Sequence, residues 1–155
     1  MIERWTSQVN STGPLAPLRI ELREHLARHR VDQSVGEDVV LVLTELVSNA
    51  QHACLSGTQV TIAVECSPTP PSVAVIVENV PAEGAVSSGP LRPQMPGPLA
   101  ERGRGLALVA VLATHLSIDN DADLTRVRAE FTRPHGTGVG QKQVQPRLRS
   151  RRSES

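Results

Sequence analysis

Aromatic residues are almost missing from this 155-residue chain: it has one Trp (Trp5), one Phe (Phe131) and no Tyr. A core must then be built from Val, Leu, Ile and Ala. The stacking platforms of single-strand nucleic-acid binders, which need exposed rings, are excluded. Cysteine is scarce too. Cys54 and Cys66 form no CxxC and no disulfide framework, and their spacing with His52 fits no zinc pattern. Free thiols in a reducing cytoplasm are the plain reading. Long apolar runs are also lacking: the longest, Leu106–Ala113, is far too short to span a bilayer. The start, MIERWTSQVN, does not have the basic-then-apolar pattern of a signal peptide. These absences predict a cytoplasmic protein with no membrane segment.

Charge is present in balance but unevenly spread. Residues 1–133 carry 11 Arg against 15 Asp and Glu, a net of −4, and residues 134–155 carry five Lys and Arg against Glu154, a net of +4. An acidic body with a short basic tail argues against a dedicated nucleic-acid-binding fold.

Periodicity divides the chain. Residues 1–14 read as an N-terminal arm. Leu15, Leu18, Leu22 and Leu26 mark an amphipathic helix ending near His29. Ser34-Val-Gly-Glu37 has the form of a capping box, which predicts a second helix from about Val35 to Ala53. Two strand-like runs follow, Thr58–Cys66 and Ser72–Asn79, joined by the turn SPTPP. The segment Val80–Arg102 holds five prolines and three glycines, the composition of a long functional loop or lid. Gly103–Gly105 opens an apolar helix, and strands are expected at His115–Asp119 and Leu124–Phe131, with a turn at Asn120–Asp123. Beyond Pro134 apolar residues thin out, which predicts a disordered basic tail over 134–155. The domain proper is thus 15–133, with 80–102 as its lid. The order α-α-β-β-lid-α-β-β predicts an α+β fold, a two-layer sandwich with helices on one face of a mixed, mostly antiparallel sheet.

Strand parity adds detail, because successive residues point to opposite faces. Val73, Val75, Val77 and Asn79 share one face; Thr125, Val127, Ala129 and Phe131 share another. These apolar faces must meet the helices, so Asn79 and Thr125 fall on the covered side and need partners there. The opposite faces carry Arg126 and Arg128 against Glu65, Glu78 and Glu130, which suits cross-strand ion pairs.

Within the second helix, Glu45, Asn49 and His52 form a polar stripe at i, i+4 and i+7. Taken alone this is as well explained by a solvated face. His52 in particular suits a surface position at a helix C-terminus, where the dipole favours cations. Gly103-Arg104-Gly105 at a helix start offers free N–H groups and a positive dipole end to phosphate, although a simple loop-to-helix turn reads the same way. No GxxxxGK P-loop and no VAIK, HRD or DFG element is present.

Taken together, TELVSNAQHA, a strand ending in inward Asn79, a Gly/Pro-rich lid, ERGRGLALV and a strand with inward Thr125 resemble the GHKL superfamily of ATPases and kinases. More narrowly they resemble short bacterial ATP-binding proteins of the anti-sigma factor serine kinase type. The resemblance implies a Bergerat-type ATP-binding fold over about Leu15–Phe131. It implies ATP and Mg²⁺ as cofactors, with Asn49 on the metal and Glu45 orienting or deprotonating the attacking hydroxyl or water. Gly103, Arg104, Gly105 and Leu106 would cradle the phosphates, and Thr125 would lie near the adenine. Asn79 stands where the family pattern has an Asp that receives the adenine amino group, and the glycines that usually follow are replaced by Val80-Pro81-Ala82-Glu83-Gly84.

The implied activity is a protein serine/threonine kinase acting on an anti-anti-sigma (STAS-like) partner and so controlling a sigma factor. The alternative is a regulator of the same fold that acts by sequestering its partner with little or no catalysis. Relatives often dimerise, so a homodimer is a candidate assembly.

Overall fold

A computed structural model of the chain describes residues 1–82, 104–121 and 123–132, apart from the side chain of Arg104. The lid over 83–102, Gly103 and the tail lie outside the described residues. The elements in chain order are β1 (Glu3–Asn10), α1 (Ala16–Arg28), α2 (Gln33–Ala53), β2 (Gln59–Pro68), β3 (Pro71–Asn79), α3 (Arg104–Leu112), β4 (His115–Asn120) and β5 (Thr125–Thr132). The five strands form one sheet in the order β1-β2-β3-β5-β4. The sheet, expected to be mostly antiparallel with a mixed part, is antiparallel at every pairing among the described residues.

The stretch expected to be an N-terminal arm supplies β1, an edge strand that pairs with β2 from Glu3↔Cys66 to Asn10↔Gln59. Its period-two signal is weak because only Trp5 and Val9 are apolar on the inner face. Glu3 and Ser7 take the other two positions on that face.

The helices cover one face. α2 buries Val39, Val40, Val42, Leu43, Leu46, Val47 and Ala50, and α1 buries Leu18, Leu22 and Leu26. They meet Val60, Ile62 and Val64 of β2 and Val73, Val75 and Val77 of β3 in one aliphatic core. Fully burying each such side chain contributes about 1.5–3 kcal/mol. No helix among the described residues is long and apolar enough to cross a membrane.

α1 ends in a Schellman motif. Val31 N–H donates to Leu26 O and Arg30 N–H to Ala27 O, with Arg30 in the left-handed region at φ 54°. The next helix is capped differently from the capping box expected at Ser34. Asp32 is its N-cap, receiving Ser34 N–H at 3.0 Å and the Ser34 hydroxyl at 2.6 Å. A carboxylate one residue ahead of the helix reaches the free N–H groups better than a serine already inside it. Glu37 turns instead to Arg23, 3.4 Å away.

The outer face carries the ion pairs that parity predicted. Arg126 meets Glu78 at 2.7 Å, and Arg128 meets Glu130 at 2.7 Å and Glu65 at 3.4 Å; Arg4 adds a pair with Glu65 at 3.0 Å. Beneath these side chains Ala63, Ala74 and Ile76 are buried although no helix covers them, because long arginine stems lie over apolar surface.

One polar cluster sits inside the aliphatic core. His25 is buried, its Nε2 lies 3.7 Å from Cys66 Sγ, and its ring contacts those of Trp5 and His29. Burial, then His29 and Arg28, hold the His25 imidazole below its ordinary 6.5, against a smaller opposing pull from Glu3. Burial pushes the Cys66 thiol up to about 11, so it stays protonated at neutral pH. In the unfolded chain His25 takes up a proton more readily than in the fold. Its contribution to stability is therefore complete above about pH 6.5 and is lost as pH falls through the lower folded value. Chemical denaturation between pH 7.5 and 5 is expected to show stability falling with acidification. His25→Leu should flatten that part of the slope; an unchanged slope would show that His25 does not drive it.

Candidate functional site

The site is built at the end of the sheet where α2 finishes and α3 begins. α2 runs across the inner face and places Glu45 and Asn49 one turn apart, Glu45 half-buried and Asn49 exposed. The C-terminal end of α2 is tied to the segment leaving β3: Leu55 N–H donates to Val80 O at 2.8 Å and Ala82 N–H to Ala53 O at 3.0 Å. Gln51 ties the same end to the β1–α1 turn, donating to Asn10 O at 3.0 Å and Gly13 O at 2.9 Å. These bonds hold the end of β3, and with it Asn79, beside the last turns of α2.

α3 closes the other side. A Cβ added at Gly105 would collide with the Glu45 carboxylate, reaching within 3.2 Å of its Cδ and 3.6 Å of its Cβ. The two residues are thus in close approach. The Glu45 carboxylate rests on the first turn of α3, where helix N–H groups are unpaired and the dipole end is positive. Two sequence motifs 60 residues apart are in direct contact.

The third part is a polar row across the inner face. Asn79 of β3 pairs with Thr125 of β5, which pairs with Asn120 of β4. Asn79 is only 5% exposed. Its Nδ2 is buried without a hydrogen-bond partner, and so is Asn120 Oδ1. Each such group costs about 1–3 kcal/mol. An apolar pair would cost nothing there, so these atoms are the candidate place for a polar ligand edge.

Of the residues singled out from sequence, Glu45 and Gly105 are in contact, and Asn79 and Thr125 are paired. Leu106 packs its side chain against the core and offers only its backbone. Arg104 begins α3, and Gly103 lies outside the described residues. His52 is exposed, with Nδ1 2.7 Å from the carbonyl of Ser48 on its own helix. Asn120 was missed because it was assigned to a turn. Continuing the β4 alternation Leu116, Ile118, Asn120 would have put it on the inner face. Among the described residues no cluster of three or more His, Cys, Asp or Glu is placed to hold a metal. A separate cavity of about 660 Å³, lined by Glu3, Val31, Val35, Val73, Leu112 and Phe131 among others, contains none of these site residues.

A family model for the histidine kinase-like ATPase domain matches residues 10–131. The chain belongs to this family. None of the curated proteins compared with it matches. The matched span takes in the α2 motif, the end of β3, the start of α3 and β5, and membership supports an ATP-binding function. The residues fit such a group in two respects: a glycine-lined helix start with unpaired N–H groups, and a buried amide without a partner.

The Glu45–Gly105 contact generates a test. The nearest obstacle to an added methyl is the far end of a flexible side chain, which can swing aside. Alanine also has the better helix propensity, by about 1 kcal/mol. Gly105→Ala is therefore expected to fold with stability within about 1 kcal/mol of the parent in urea denaturation. A loss of several kcal/mol would mean that the carboxylate is rigidly held.

Proposed function

We propose that this protein is an ATP-dependent serine/threonine protein kinase of the anti-sigma factor type, phosphorylating an anti-anti-sigma (STAS-like) partner and thereby controlling a sigma factor. The observation that carries this reading is the Glu45 carboxylate at the first turn of α3, one helical turn from Asn49. A base for phosphoryl transfer must stand beside the phosphates, and the approach of the Glu45 carboxylate to Gly105 supports that role. ATP supplies the phosphoryl group. Asn49 would hold Mg²⁺ when it is bound, and its exposure leaves it open to an incoming ion. Glu45 accepts the proton of the partner's hydroxyl. The backbone at Gly103–Leu106 would donate to phosphate oxygens, while Asn79 and Thr125 would take the base.

A second reading has an observation of its own. Asn79 stands where the family pattern has a carboxylate, and a neutral amide gives up a charge-assisted bond worth about 1 kcal/mol. A weakly catalytic regulator that sequesters its partner has the same fold and the same surface.

Titration with Mg·ATP separates the two readings. Binding is expected below millimolar nucleotide, and absence of binding at millimolar concentration rejects the kinase. Glu45→Ala should keep nucleotide affinity within a few-fold and reduce phosphate transfer to a STAS-like partner by roughly 10²–10⁴-fold. Transfer at the parental rate would remove Glu45 from the role of base.

A further inference from the structure

The polar row at the end of the sheet bears on which base the site takes, and this inference rests on the nucleotide-binding reading above. A carboxylate at the Asn79 position would present acceptors only. It would receive the 6-amino group of adenine and repel the 6-oxo oxygen of guanine. An amide presents one donor and one acceptor, and a half turn of its plane exchanges them. No hydrogen bond within the described residues fixes the Asn79 amide in either orientation.

In one of those orientations the buried, unpaired atom is the donor Nδ2. Adenine's amino group has no use for a donor, whereas the O6 of guanine needs one. With the amide turned over, Asn79 serves adenine instead, accepting from N6 and donating to a ring nitrogen.

We propose that the nucleotide site accepts guanine as well as adenine nucleotides, with Asn79 as the residue that relaxes base choice. The test is calorimetric titration of the full chain with Mg·GTP and Mg·ATP, in the parent and in Asn79→Asp. In the parent the two dissociation constants are expected to agree within roughly tenfold, and in Asn79→Asp the ratio should move toward ATP by roughly tenfold or more. A parental preference for ATP beyond tenfold overturns this inference and leaves the kinase reading standing. Binding of neither nucleotide removes both. The parental comparison decides even where the variant does not fold, and an unchanged ratio in a folded Asn79→Asp takes the role away from Asn79.

Discussion

The packing of α2 onto β2 and β3 is the contact on which the rest depends. Seven aliphatic side chains of one helix are buried in the shared core with the inner-face valines and Ile62. Without aromatic bulk, this core gets its cohesion from many small, branched surfaces in contact. Helical geometry then sets the remaining positions. Once Leu43, Leu46, Val47 and Ala50 face the sheet, Glu45 and Asn49 are carried along the flank of the helix. Their orientation is therefore set by aliphatic burial, since among the described residues Glu45 has no ion pair to hold it.

That packing has a boundary, and the candidate site lies on it. Val73, Val75 and Val77 continue a wholly apolar strand face until Asn79, where the helix-covered side becomes polar and unsatisfied. The opposite end of the sheet buries His25 and Cys66 against Trp5 and His29, where the polar groups have one another. The two ends contrast in their hydrogen bonding. One is internally paired and belongs to the architecture; the other leaves buried donors and acceptors open, as a binding site requires.

Much of this was readable along the chain. Period-two alternation gave the faces of β3 and β5, and the outer-face ion pairs followed from it. The 3.6-residue period gave α1 and α2. Where reading failed, the signal was local and ambiguous. In β1 only Trp5 and Val9 mark the inner face, too few to declare a strand. Ser34 and Glu37 matched a capping box, but Asp32 stood closer to the free N–H groups. Asn120 resembled a turn residue because Asp121 follows it, yet pairing with Thr125 extends β4 through it.

Apart from β1, the sequence by itself determined the element types, the apolar faces and the spacing of Glu45 to Asn49, because each depends on a local period. Only the tertiary structure decided that Gly105 touches Glu45, and that Asn79, Thr125 and Asn120 stand in one row. Those neighbours are brought together by strand register and by antiparallel crossing of the sheet. Neither is encoded in any local stretch, since both arise when separate apolar faces must be buried against the same helix.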